Sequence, residues 1–369
     1  MVSCKIKTVI LLVGMMPLGA RVFAQPDSTF DSNARRSALE TCLILGKIIP
    51  HDDTLNQLVN RNIKATEIQY SFKKSGRVIP YHQGLSLVIA DLGNHDHLGY
   101  AFGVIPNVSI TTNTKNRVMV NLRLGLGAAW VTKKFSFASN IENVAISTNL
   151  NIMASLNANL QIRITEKSKI YLGLNALHLS NGGFKKPNYG LNMLGASGGF
   201  SIAFSNKREC KVPKKSSDDL QIETWPQIKL YVGMGVKETG DAGGPKYFPV
   251  SLQIAAASRV AKFVALGFGV DIAHDGSSKF QIEQSNEVYT SPNDAFQVGA
   301  SIYAELPLNR FSVFARQGFY LYNANPDLPF GYQNIGFSYR IGHRVAIFIS
   351  LKSHLNNADH IYAGLALSI

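Results

Sequence analysis

A histidine and a serine two positions apart lie in the segment HLSNGGFKKPNYGLN, which covers residues 178–192. His178 and Ser180 begin the segment, and glycines, a proline and three asparagines follow them. A serine hydroxyl is a weak nucleophile until a base accepts its proton, and the tetrahedral intermediate of acyl transfer needs hydrogen-bond donors at its oxygen. These residue types fit either a polar turn or a hydrolytic site, and the flanking elements must decide between them.

Long runs of alternating apolar and polar residues lie on both sides of this segment. Over residues 117–130 the even positions are apolar and the odd ones mostly polar or small, and residues 146–164 repeat the pattern for longer. A period of two is typical of β-strands. Strands of soluble sheets usually have about five or six residues, whereas about ten cross a membrane when tilted. The runs therefore predict transmembrane strands.

The same alternation gives roughly fifteen or sixteen strand candidates from about Leu43 to the C-terminus. Lipid offers no hydrogen-bond partner to an open sheet edge, so the strands must close. We predict an all-β, antiparallel β-barrel of the outer membrane, with about 16 strands in one barrel or in two tandem eight-stranded units. The polar inward faces favour one barrel with a wet lumen. A short helix is predicted around Ser37–Leu45.

Composition divides the chain into four segments. Residues 1–24 resemble a signal peptide, with lysines before a short apolar stretch and small residues at a cleavage site. Residues 25–205 form a first barrel half, 206–226 a charged linker, and 227–369 a second, degenerate half. The formal net charge of +13 on a secreted barrel favours anionic lipid as the partner over nucleic acid, for which no motif is present.

The two halves look alike near their ends. KIYLGLNALHLSN can be laid over RVAIFISLKSHLNN, with His178 over His354, which indicates a tandem duplication. The second copy has Asn356 in place of Ser180, so only the first copy can carry the chemistry. Cys42 and Cys210 could form a disulfide in an oxidising compartment or stay unpaired.

Strand parity decides which face the candidate residues occupy. His178 and Ser180 share parity with the apolar residues of their strand, and Asn192 shares it with those of the returning strand. All three therefore face lipid, where polar side chains are costly unless they serve a purpose. A barrel rim at headgroup depth would also tolerate them.

The segment resembles the active-site motif of the outer-membrane lipid A 3-O-deacylases, in which His-x-Ser-Asn is followed by Gly, Lys, Pro and Asn in that order. The similarity covers about residues 40–205. The resemblance implies an esterase that acts on lipid A of lipopolysaccharide in the outer leaflet by serine chemistry, without a metal or cofactor.

The resemblance also implies the role of each residue. Ser180 would be the nucleophile and His178 its general base. Asn188 and the amide of Gly183 would form the oxyanion hole, and Asn181 matches a motif position of less certain role. Asn192 stands where the family has a glutamate; an amide can orient the imidazole but cannot stabilise the imidazolium by charge.

Two other patterns fit ordinary structure better than chemistry. Residues 195–199 fit G-x-S-x-G, but Ser197 lies in a strand and not at the strand-to-helix turn that this motif requires. His95 and His97 lie among turn residues without further metal ligands. The alternative to an esterase is a porin-like channel or structural barrel with a decayed active site.

Overall fold

The alternating runs of the first half form a closed antiparallel barrel. The computed structural model describes residues 36–50, 53–59, 61–75, 80–112, 116–205, 226–261, 264–284, 291–308, 310–326, 328–354 and 357–369. The first barrel consists of β1 (Arg36–Ile48), β2 (Ile63–Ser75), β3 (Pro80–Asp91), β4 (Tyr100–Thr111), β5 (Val118–Val131), β6 (Leu150–Arg163), β7 (Ser168–Ser180) and β8 (Leu191–Ser205). Each strand pairs with the next, and β8 pairs with β1.

The second half forms its own barrel. Its strands are β9 (Gln227–Glu238), β10 (Lys246–Tyr247), β11 (Val250–Ala261), β12 (Val264–His274), β13 (Phe296–Leu308), β14 (Phe311–Asn323), β15 (Gly331–Arg340), β16 (Val345–His354) and β17 (Asn357–Ser368). β17 pairs with β9 and closes an eight-stranded wall, and the two-residue β10 pairs with β9 at one end. The prediction of an antiparallel all-β barrel fold is confirmed.

The preference for a single barrel of about sixteen strands is wrong. The register of β1 on β8 runs from Arg36 opposite Ser205 to Ile48 opposite Met193, so the first half has no open edge left for the second. Eight strands enclose a space that side chains alone can fill. The polar inward residues are therefore packed against one another instead of lining a wide channel.

The first lumen is held together by buried polar contacts. Arg123 is 2% exposed, and its guanidinium lies 3.0 Å from the Glu67 carboxylate and 3.5 Å from that of Glu40. The side chain of Gln69 donates to that of Asn107 at 3.0 Å. These pairings satisfy part of the hydrogen-bonding capacity of the inward-facing polar residues, while other buried atoms such as Arg123 Nε and Asn157 Oδ1 have no partner among the described residues.

The second lumen is more aromatic. Tyr231, Tyr303, Phe314 and Phe348 form one buried cluster, in which the Tyr231 and Tyr303 hydroxyls are 2.8 Å apart. Arg316 lies beside this cluster and pairs with Asp271 at 2.8 Å. A small cavity of about 20 Å³ lies in this lumen, with Asp271, Gln297 and Lys352 among its lining residues.

The helix predicted around Ser37–Leu45 is also wrong, because this segment lies within β1. Leu39, Leu43 and Leu45 are exposed, whereas Cys42 and Ile44 are buried, which is a period of two. The described helices are instead α1 (Asp53–Leu58), α2 (Ser278–Gln284) and a 3₁₀ turn (Pro292–Ala295). Among the described residues no helix has both the length and the apolar character needed to cross a membrane.

His178 and His354 lie on equivalent strands of the two barrels, as the overlay predicts, but their side chains point to opposite faces of the barrel wall. β7 and β16 are each the seventh wall strand of their barrel. His178 lies on the outward face, whereas His354 is 6% exposed and its ring bonds to the Tyr320 hydroxyl at 2.8 Å inside the second lumen. His354 therefore has no counterpart role at the outer surface.

Three sequence predictions fall on residues outside the described ranges: the signal peptide at residues 1–24, the charged linker up to residue 225, and Cys210. Cys42 is described, and it is a buried free cysteine on the lumen side of β1.

The two barrels belong to one compact unit and contact each other through outward-facing residues. Near the end with short turns, Tyr81 and Val108 of the first barrel pack against Leu308 of the second. An apolar groove of about 460 Å³ lies next to this contact, with Leu126 and Phe337 among its lining residues.

The opposite end of the barrels carries the longer connections, which include residues 132–149 and 181–190. Outer-membrane barrels place such longer loops outside the cell.

The filled lumens predict that the chain does not conduct ions. Purified protein in planar bilayers should give no steady single-channel current above that of the lipid alone, because both lumens are occupied by packed side chains. A sixteen-stranded porin measured in parallel is the positive control. A stable, ohmic conductance would contradict this packing and support the channel alternative.

Candidate active site

The candidate residues lie where β7 ends and β8 begins, at the end of the first barrel that carries the longer loops. On β7, Leu172 and Leu174 are each 70% exposed and mark the lipid-facing side. His178 and Ser180 continue this face, since side chains two positions apart in a strand point the same way. The register places Asn192 of β8 directly opposite His178.

A chain of two hydrogen bonds joins these three residues. His178 Nδ1 lies 2.7 Å from Asn192 Oδ1, and His178 Nε2 lies 2.9 Å from Ser180 Oγ. An amide oxygen can only accept, so Nδ1 carries the proton and Nε2 accepts from the serine hydroxyl. This tautomer is the one that a general base needs to take a proton from a serine.

The serine is sheltered although it lies on the outward face. Ser180 is 4% exposed, and His178 and Asn192 are half-buried. Gly190 closes the loop beside them with a φ of 74°, and a Cβ at this position would lie 3.1 Å from His178 Cε1 and 3.3 Å from Ser180 Cβ. The positive φ favours glycine here, and a side chain would also crowd His178 and Ser180. The sequence analysis did not single out Gly190.

The three remaining motif residues lie in the loop 181–190. The backbone N–H of Asn181 donates to Asn188 Oδ1 at 3.0 Å, so the amide oxygen of Asn188 is engaged and its NH₂ is the donating end. Gly183 has a φ of 83°. A backbone N–H and a side-chain amide are the kinds of donors that oxyanion holes use.

Asn181 fixes the loop rather than facing the reacting atoms. Its Nδ2 donates to Ser147 Oγ at 2.9 Å and to the carbonyl oxygen of Lys185 at 2.8 Å. Ser147 Oγ donates to the same carbonyl at 2.7 Å. Ser147 comes from the 132–149 connection and was missed in the sequence analysis, because nothing local to it indicates a partner 34 residues away.

The loop presents positive charge at the barrel rim. Lys185 and Lys186 lie within it and are half-buried. Lys246 of the second barrel places its ammonium 3.9 Å from the ring centroid of Phe184, which is a cation–π contact. The loop therefore carries two lysines at the rim and has a third beside it.

The two competing patterns are ordinary structure. Ser197 is 6% exposed and faces the lumen from the middle of β8. His95 contacts Asp91 at 3.0 Å, and His97 contacts Asn140 at 2.9 Å, within the turn that joins β3 to β4. Within the described parts of the chain no group of three or more His, Cys, Asp or Glu residues could hold a metal ion.

Several solved structures are similar to the chain. The outer membrane enzyme PagL is 14% identical with a TM-score of 0.34, over 44% of this chain and 98% of that one. Neisserial surface protein A is 10% identical with a TM-score of 0.31, over 46% and 97%. A mutant of the Rh. blastica porin is 10% identical with a TM-score of 0.21, over 90% and 99%. No curated protein matches the sequence.

Two family models match consecutive parts of the sequence. Residues 65–201, which include the whole motif, match the model for lipid A 3-O-deacylase (PagL). Residues 226–369, which include the second barrel, match the model for the acyloxyacyl hydrolase C-terminal domain. The resemblance inferred from the motif is thereby confirmed, and the chain belongs to the lipid A 3-O-deacylase (PagL) family.

Proposed function

We propose that the chain is an outer-membrane esterase that removes the acyl chain ester-linked at the 3-position of lipid A in lipopolysaccharide. The observation that carries the proposal is the Asn192–His178–Ser180 hydrogen-bond chain on the lipid-facing side of the first barrel. The barrel fold and the family agree with a location in the outer membrane.

The reaction follows from the roles of these groups. His178 Nε2 takes the proton of the Ser180 hydroxyl as Oγ attacks the ester carbonyl carbon. The amide NH₂ of Asn188 and the backbone N–H of Gly183 stabilise the oxyanion. The C–O bond to the sugar then breaks, and His178 gives its proton to the leaving hydroxyl. Water, deprotonated by His178, hydrolyses the acyl-serine and releases a fatty acid.

The outward position of the site suits a substrate that lies in the membrane. An acyl chain in the outer leaflet can lie along exposed apolar residues such as Leu172 and Leu174, which brings its ester to the rim where Ser180 is located. Lys185 and Lys186 can attract the phosphate groups of the lipid A headgroup. The substrate thus approaches sideways from the bilayer.

Asn192, which stands where the family has a glutamate, affects the expected rate of the proposed reaction. Asn192 orients the imidazole through its 2.7 Å contact, but it supplies no negative charge when His178 becomes protonated. Replacing the equivalent carboxylate by an amide in a serine protease costs about ten-thousandfold in kcat, largely because the amide there selects the wrong tautomer. Here the amide oxygen accepts from Nδ1, so the correct tautomer is kept and the expected loss is smaller.

Substitution of Ser180 tests the nucleophile. We expect Ser180→Ala to lower deacylation by at least about a thousandfold, because the variant lacks the hydroxyl that would form the acyl-enzyme. Wild type and variant are incubated with lipopolysaccharide, and lipid A is analysed by mass spectrometry for loss of the 3-linked chain. Ser197→Ala is the matched control: this serine lies in the lumen of the same barrel, so the variant should retain full activity. If lipid A keeps its 3-linked chain after incubation with the wild-type protein, the proposal is contradicted.

Substitution of Asn188 tests the oxyanion hole separately from the loop conformation. Asn188→Asp keeps an oxygen that can accept from the Asn181 N–H but removes the NH₂ donor. We expect kcat to fall about a hundred- to a thousandfold, as for other oxyanion-hole donors, with KM little changed. A variant with wild-type kcat would show that Asn188 does not contact the transition state.

Adding charge at position 192 tests the orienting residue. Asn192→Asp is nearly isosteric and places a carboxylate oxygen at the same point opposite His178, so it should raise kcat by about tenfold or more. Asn192→Ala should lower kcat, because the imidazole loses its partner. Steady-state rates on lipopolysaccharide measure both effects, and equal rates for the three proteins would mean that another group orients His178.

A further inference from the structure

The loop that carries the proposed oxyanion donor is attached to the second barrel. The backbone N–H of Glu238, the last residue of β9, donates to the carbonyl oxygen of Gly183 at 3.0 Å. A Cβ on Gly183 would collide with the backbone oxygen of Asp359 on β17. Gly183 is therefore clasped between the ends of two strands that belong to the other barrel.

The residues on either side of Gly183 make further contacts with that barrel. The side chain of Ile361 on β17 packs directly on the α-carbon of Gly182. Lys246 of β10 covers the ring of Phe184. Three consecutive loop residues, 182–184, thus each contact the second barrel, and they immediately follow the Ser180–Asn181 pair.

The clasp is backed by buried ion pairs. Lys237, which precedes Glu238, is 3% exposed and pairs with Asp359 at 3.0 Å and with Asp275. Its ammonium group therefore joins β9 to β17, the two strands whose backbones touch Gly183. Burial is the largest single influence on the pKa of the Asp275 carboxyl and raises it, but the Lys237 ammonium and His360 together outweigh this, so the pKa lies below its usual value and the carboxyl stays ionised.

A glycine pair with positive φ needs such support. Gly182 and Gly183 have φ values of 63° and 83°, and glycine loses more conformational freedom on ordering than any other residue. A displacement of about 1 Å at a catalytic group can cost about a hundredfold in rate. The Gly183 amide therefore needs contacts from outside the loop to stay aimed at the reacting carbonyl.

We propose that the second barrel is a positioning element of the esterase site, in which Ile361 and the Glu238 backbone hold residues 182–184 in the conformation that presents the Gly183 amide to the oxyanion. The inference rests on the proposed function of Ser180. Ile361 is a positioning residue and touches no reacting atom. It lies on the outward face of β17, where its neighbour Leu365 is 53% exposed.

The test compares two apolar residues on the same face of β17 in the full-length protein. We expect Ile361→Ala to lower kcat on lipopolysaccharide by about tenfold or more with KM within about twofold, because alignment is lost while the binding surface remains. Leu365→Ala is the matched control and should behave as wild type. Ile361→Leu keeps the side-chain volume and should restore most of the rate.

A second measurement does not depend on catalysis. Hydrogen exchange of a peptide that contains residues 181–190, followed by mass spectrometry, should be faster in Ile361→Ala than in wild type and unchanged in Leu365→Ala. Retained heat-modifiable mobility of the barrels in electrophoresis shows that the variants are folded, and Ile361→Val offers a milder truncation if Ile361→Ala does not fold.

The outcomes separate this inference from the proposed function. Equal kcat for wild type and folded Ile361→Ala, or equal exchange of the loop in both, overturns the positioning role and leaves the esterase intact. If wild-type protein is as inactive as Ser180→Ala, the proposed function is overturned and the positioning role with it. This holds even where hydrogen exchange shows that Ile361 orders residues 181–190.

Discussion

The absence of hydrogen-bond partners in hydrocarbon determines most of this structure. Every strand edge has to be paired, and the chain achieves this twice, by joining β8 to β1 and β17 to β9. Closure with eight strands leaves lumens that fill with side chains, such as the Arg123 cluster in one barrel and the tyrosine–phenylalanine cluster in the other. Because the interior has no room for a lipid, a site that acts on lipid has to lie on the outer wall.

The same constraint shapes the polar residues on that wall. His178 uses both ring nitrogens, one with Asn192 and one with Ser180, so the outward-facing imidazole is hydrogen-bonded on both sides. An ionised carboxylate at position 192 would face lipid and would cost more to desolvate than an amide. An asparagine at this position therefore keeps the resting site neutral, but it supplies no negative charge to stabilise a protonated His178.

Parity and length in the sequence predicted the strands and the outward face of His178, Ser180 and Asn192. These features depend on local spacing alone. The number of barrels could not be predicted, since two sheets of eight and one of sixteen have the same alternation and differ only in which edges meet. The segment around Ser37–Leu45 does not reveal its strand, because its apolar residues also fit a helical spacing over so short a window. Ser147, Glu238 and Ile361 contact the candidate loop from distant parts of the chain, and no local pattern marks them.

The clasp on Gly183 has a consequence for assembly. The loop belongs to the N-terminal barrel, but residues 182–184 reach their conformation against β9 and β17, the first and last strands of the second barrel. A polypeptide whose first barrel alone has entered the membrane carries Ser180 and His178 without these contacts. Under the proposed positioning role, the Gly183 amide of such a chain is less well aligned, so full esterase activity requires the second barrel to be in place.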